Sequence, residues 1–209
     1  MTMIVGLHLG DYVLVAADKR QTYVVNGQVV SVISDEVNKL VNWGAGVVTG
    51  SGYVPLLNEL KSKLSGINIT TTDQILNLAN EISESSTEQP EYWRKTTNWM
   101  FSFVANTPSG LQCRLGYMNC LKPEEIPMLH QMRATVWAKI PDLEEKIAEL
   151  NSTLKPLASP QQFQENFQYH LQLVSKLFEY GAKHDDSVCK EFDYYVQFKN
   201  GESFLSSEA

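Results

Sequence analysis

Cysteine is scarce in this chain of 209 residues, which holds only Cys113, Cys120 and Cys189. Their spacing contains no CxxC or other metal-ligand pattern, and their odd number leaves one unpaired. This argues against a disulfide framework and predicts free, buried thiols in a reducing compartment. Clusters of lysine or arginine are missing too, and the net charge is −7, so a surface that tracks phosphates is excluded and no nucleic-acid partner is expected. No apolar run approaches the roughly 18 to 20 residues that span a bilayer, and the N-terminal stretch shows neither a basic n-region nor a cleavage site. The chain is therefore expected to stay in the cytoplasm, without a membrane partner.

The four histidines, His8, His130, His170 and His184, show no i,i+4 or HExxH arrangement, and His8 reads as a packed or edge residue of the first strand. The run TGSG at 49–52 lacks the trailing Gly-Lys-Ser/Thr of a phosphate loop. No cofactor and no metal is expected. Internal repeats, low-complexity segments and dividing linkers are absent as well, so residues 1–209 read as a single domain. With 43% hydrophobic residues, the chain can bury a sizeable core.

What is present begins with strands. Residues 2–9 and 12–17 are short apolar runs flanking Gly10-Asp11 and predict a hairpin. Neither run alternates between apolar and polar, which predicts a sheet covered on both faces. A second hairpin is predicted at TYVVNGQVVSVI, with Asn26-Gly27 in a type I′ turn. Residues 39–50 read as two strands around Gly44 to Gly46. A helix follows over 53–64 on the spacing of Val54, Leu57, Leu60 and Leu64, and another opens with Thr72 as N-cap. The polar run 83–89 reads as a surface loop. Residues 99–105 and 111–118 flank Thr107-Pro108-Ser109-Gly110 as a further hairpin. The stretch 123–183 reads as mostly helical with breaks at Pro141, Pro156 and Pro160, its helices falling at 142–155 and 160–182, and 192–198 starts a last strand pair. Hairpins without βαβ crossovers, interleaved with helix pairs, predict an α+β layered sandwich of antiparallel sheets.

The first hairpin decides which groups meet the start of the chain. A two-residue loop, Gly10-Asp11, sets Thr2 opposite Lys19, whereas a three-residue loop, 9–11, sets it opposite Asp18. Either register brings a carboxylate and a cation close to Thr2, and the register decides which of them shares its face. Met1 precedes a small residue, so aminopeptidase removal is expected and leaves Thr2 with a free α-amine. That amine titrates near pH ~8 and supplies a built-in general base to the hydroxyl. A neighbouring lysine pushes the amine toward its neutral form, and a carboxylate holds the lysine in place. The plainer reading is that Thr2 only begins an edge strand and that Asp18-Lys19-Arg20 is a solvated turn.

Three stretches, TMIVGLHLGDYVLVAADKRQT at 2–22, VNKLVNW from residue 37 and VVTGSG up to residue 52, make the chain resemble the β-type subunits of the proteasome and the related bacterial ring peptidase, within the N-terminal nucleophile hydrolases. The resemblance implies a four-layer αββα sandwich with Thr2 as nucleophile, Asp18 as the acid and Lys39 as the lysine beside the nucleophile. It further implies Gly50 as the glycine whose N–H stabilises the oxyanion, and the hairpin at 24–30 as a local insertion. KHDDSVCKEFDYYVQFKNG near the C-terminus is similar to the family's D-S-x-S-G-G stretch and final strand, so Asp185 or Asp186 matches its supporting aspartate, and Asp186 joins the expected site. A threonine-type peptidase or amidohydrolase acting on peptide or amide substrates is thus expected. With it come a homo-oligomeric ring and room for an ATPase partner. Cys189, Lys190 and Glu191 stand where the family has Ser-Gly-Gly, and residues 119–140 hold no Ser-Gly-Ser. Those departures carry the alternative of a non-catalytic scaffold or assembly subunit on the same fold.

Overall fold

A computed structural model describes residues 2–25, 28–66, 71–122, 126–156 and 162–208. It is a mixed α/β structure with antiparallel sheets. The first hairpin forms as its composition requires: β1 (Ile4–His8) and β2 (Tyr12–Asp18) pair with Ile4 opposite Ala17 and His8 opposite Val13, and every residue of both strands is buried. Leu9 N donates to Tyr12 O at 2.9 Å across Gly10-Asp11, and Gly10 takes φ +86°, so the loop has two residues. The register carried back toward the chain's start sets Met3 opposite Asp18 and Thr2 opposite Lys19.

The strand order in the first sheet is β11-β10-β2-β1-β9, with β10 (Phe192–Phe198), β11 (Ser203–Glu208) and β9 (Arg133–Trp137). A second sheet runs β5-β6-β7-β8, from β5 (Val41–Asn42), β6 (Val47–Ser51), β7 (Asn98–Thr107) and β8 (Gly110–Asn119). Strands β3 (Gln21–Val25) and β4 (Gln28–Ser34) pair only with each other among the described residues. The turn predicted at Asn26-Gly27 lies outside the described residues.

Three apolar clusters form the core. Met3, Val5, Leu7, Leu14 and Ala16 pack against α4 (Leu143–Thr153) and α5 (Phe163–His184) through Leu150, Leu171, Val174 and Phe178. Val48, Trp99 and Phe101 pack against α1 (Val54–Gly66) and α2 (Thr72–Ser85) through Leu57, Leu60, Ile75 and Ile82. Ile4, Val13, Val15 and Ala17 meet Val47, Met100 and Leu115 in the third cluster, between the two sheets. Successive residues of a strand point to opposite faces, which is why Met3 and Val5 enter the first cluster while Ile4 enters the third. All three cysteines are free and buried.

The structure departs from the sequence reading at several places. Residues 133–137, inside the span expected to be mostly helical, form β9 and pair with β1, Ile4 facing Trp137. Helix α2 is preceded by Thr71, not Thr72, as its N-cap. Thr71 is extended at φ −134°, and its N–H donates to Gln74 Oε1 at 3.1 Å. The expected loop at 83–89 begins three residues late, since α2 runs through Ser85, and a short helix α3 (Glu91–Thr96) follows Pro90. Among the described residues no helix is long and apolar enough to cross a membrane.

Candidate active site

The end of β2 meets the start of β1 around one carboxylate. Asp18 has no exposed surface, and its oxygens accept from two backbone groups and one cation. Oδ1 accepts from Met3 N at 2.8 Å. Oδ2 accepts from Arg20 N at 3.0 Å and from Lys39 Nζ at 3.0 Å. Asp18 N in turn donates to Met3 O at 3.1 Å. Both sides of Met3 are thereby held, and the Thr2–Met3 peptide is fixed against the carboxylate that binds the lysine.

Lys39 precedes β5 in an irregular segment and reaches back to the junction of β2 and β3. Its Nζ also donates to Arg20 O at 2.6 Å, and its side chain is 9% exposed. Burial draws both members of the pair toward their neutral forms, raising Asp18 and lowering Lys39, while each one's charge opposes the shift in the other. An ammonium has three N–H donors, and two are taken. Among the described residues the third has no acceptor, and the half-buried Thr2 has no hydrogen-bond partner either.

Arg20 ties this pair to its surroundings. Nε and Nη2 grip Asp35 at 2.7 and 3.0 Å in a two-pronged ion pair. Nη1 donates to the carbonyls of Asp186 and Val188, both at 3.2 Å. The Asp35 carboxylate raises the Arg20 guanidinium, which in turn lowers Asp35. The loop after α5 is thus drawn to the same place, and Gly181 near the end of that helix packs so closely on Met3 that a Cβ there would sit 2.5 Å from its sulfur.

The two neighbouring aspartates in that loop differ. Asp186 is exposed, and it joins the group through its main-chain carbonyl. Asp185 Oδ1 accepts from Ser187 N at 2.9 Å and Ser187 Oγ at 2.6 Å, while its Oδ2 is buried without a partner among the described residues. Cys189 lies beside them, its thiol donating to Glu191 O at 3.2 Å and pushed up by burial.

Gly50 lies in β6 of the second sheet, opposite Trp99. Its missing side chain is explained by packing: a Cβ would lie 2.6 Å from Leu57 Cδ2 and 2.8 Å from Asn98 O. The structure thus joins Lys39 to Asp18 and Asp18 to the Thr2–Met3 peptide, draws in the Asp186 main-chain carbonyl through Arg20, and sets Gly50 against α1.

One neighbour was invisible in the sequence. Lys61, on α1 one turn beyond Leu57, lies outside the apolar positions that predicted the helix, yet it is half-buried and has no ion-pair partner among the described residues. Burial, aided by the Lys39 ammonium, pushes it down to about 8. No signal short of the packing of α1 on β6 could have found it. Neither a protein-family model nor a curated protein matches the chain.

Proposed function

We propose that this chain is a threonine-type peptidase or amidohydrolase on a four-layer αββα sandwich, with Thr2, freed by removal of Met1, as nucleophile. The observation that carries the reading is the buried Asp18–Lys39 pair hydrogen-bonded to the Thr2–Met3 peptide. Buried ion pairs seldom stabilise a fold better than apolar residues would. One fastened to the main chain beside a hydroxyl nucleophile has a chemical use.

In this reading the Thr2 hydroxyl oxygen attacks the substrate carbonyl while its proton passes to the Thr2 α-amine. Lys39 keeps that amine neutral by its positive charge, and Asp18 keeps Lys39 in place. The Gly50 N–H steadies the tetrahedral oxyanion. The α-amine then gives its proton to the leaving nitrogen, the C–N bond breaks, and an acyl-threonine ester remains. Water cleaves the ester, one of its protons going to the amine and on to the threonine oxygen. Asp185 is favoured over Asp186 as the supporting aspartate, because its buried Oδ2 still has acceptor capacity and its other oxygen holds Ser187. The same reading entails peptide or amide substrates, a cytoplasmic homo-oligomeric ring, and an ATP-driven partner as the means of feeding it.

A second reading, a non-catalytic scaffold subunit, is favoured by Cys189, whose thiol is turned to Glu191 O where a hydroxyl would serve the amine. One experiment separates the two. Protein expressed in its native host should be lighter by one methionine and should cleave small peptide or amide substrates, and Thr2→Ala should lose the cleavage while melting as the wild type does. Retained Met1, or a Thr2→Ala variant as active as the wild type, refutes the hydrolase.

A further inference from the structure

The β3–β4 ribbon stands away from the core. Its two strands pair only with each other among the described residues, so both outer edges present unpaired N–H and C=O groups. Tyr23, Val30 and Ile33 are 56%, 61% and 58% exposed, and Val24, Val25 and Val32 each exceed 40%. Consecutive residues are exposed in both strands, so neither face of the ribbon rests on the body of the protein. A lone two-stranded ribbon is marginal in water.

The usual guards of a free edge are missing. From residue 21 to residue 34 the sequence QTYVVNGQVVSVIS contains no Asp, Glu, Lys, Arg, His or Pro. Proteins that keep an edge strand solvated place lysine, proline or inward charge on it. An uncharged, apolar, two-faced ribbon is instead an exposed patch of the kind that marks an interface.

We propose that this ribbon is the contact through which a second copy of the chain docks, ribbon packed on ribbon. Charge selects the occupant. Two copies each carrying −7 repel one another, and the ribbon is a long surface element where they meet without like charges. An oppositely charged partner would find nothing there to recognise. Area agrees with a reversible contact: six side chains at about half exposure offer on the order of 500 Å² of apolar surface divided between the ribbon's two faces, so one face packed on its copy buries roughly 500 Å² in total, the size of a weak, concentration-dependent interface. The inference does not depend on the catalytic reading. It does bear on the site, because Arg20 at the foot of β3 grips Asp35 after β4 and its carbonyl holds Lys39.

Light scattering after size exclusion tests it, with the full chain at micromolar to 100 µM concentration. The wild type should run as a dimer or a higher assembly of its 23.6 kDa chain. The double variant Val30→Lys/Ile33→Lys, which adds charge at exposed positions only, should fall to the monomer mass with unchanged circular dichroism. A wild type that stays monomeric, or a folded variant that assembles as the wild type does, overturns the proposal. Should the variant fail to fold, amide exchange of the wild type decides. Protection of residues 28–34 should fall at least tenfold on dilution into the monomer range, and equal exchange at both concentrations would count against the ribbon as the contact.

Discussion

Replacing Lys61 by Met should stabilise the protein at neutral pH, and the gain should vanish in alkali. Methionine keeps the length of the stem and removes the charge. In the folded chain Lys61 is pushed down to about 8, against 10.5 for an unhindered lysine. Below pH 8 the side chain is protonated in both states, and the folded state bears the whole cost of the buried, unpaired ammonium. At 1.36 kcal/mol per pH unit of displacement this is about 3 kcal/mol, with 2–3 expected because the side chain keeps some contact with water. As pH rises past 8 the folded protein sheds the proton while the unfolded chain still holds it, so wild-type stability climbs until about pH 10.5. Urea melts at pH 7 should therefore place the Lys61→Met midpoint roughly 1–1.5 M above the wild type. By pH 10 the gap should shrink to under about 1 kcal/mol. A gain of equal size at both pH values, or a loss at pH 7, would show that Lys61 is not a buried charge facing Lys39.

Lys39→Met should cost about 3–5 kcal/mol at pH 7 by leaving Asp18 buried without its cation. Burial sets the folded Asp18 carboxyl above its ordinary value, so protonation relieves the charge and the deficit, read from urea melts, should shrink as pH falls from 7 toward 4. Gly46→Ala places a Cβ 2.0 Å from the Ser102 carbonyl oxygen, an immovable backbone atom, and should cost about 3 kcal/mol or more in a thermal melt. Tyr12→Phe removes the 3.1 Å hydrogen bond to His170 Nδ1, a ring that burial pushes down to about 4 and keeps neutral. It should cost about 1–3 kcal/mol in the same assay.

Some of this architecture was written plainly in the sequence. The unbroken apolar runs around Gly10-Asp11 could only be strands covered on both sides, and they are. The helices over 143–153 and 163–184 carry their apolar residues at helical spacing, and those residues fill the first cluster. Strand β9 was hidden for a physical reason. Only Ala134 and Val136 of its five residues are buried, so its alternation spans too few positions to register beside helical neighbours. The register of the first hairpin rested on loop length, which a sequence leaves open by one residue. Of the candidate site, the first hairpin pointed to Asp18, and the resemblance pointed to Asp18 and Lys39. Which of Asp185 and Asp186 binds Ser187 was not legible, because the turn after α5 alone decides which carboxylate faces that residue. Lys61 was illegible for a similar reason: its partner in charge comes from a segment 22 positions earlier in the chain.

A clamp for the start of the chain does not require a lysine. Asp18 alone satisfies Met3 N and Arg20 N, and a neutral donor at position 39 would complete its shell without burying a second charge. Lys39 gives Asp18 one N–H and Arg20 O another, and the third stays without an acceptor among the described residues on a side chain only 9% exposed. The Thr2 hydroxyl, on the residue whose peptide Asp18 anchors, also has no partner among the described residues. A donor to spare on a buried cation is what the proposed hydrolase would use, and the tie of that pair to the Thr2–Met3 peptide is the geometry on which the proposal rests.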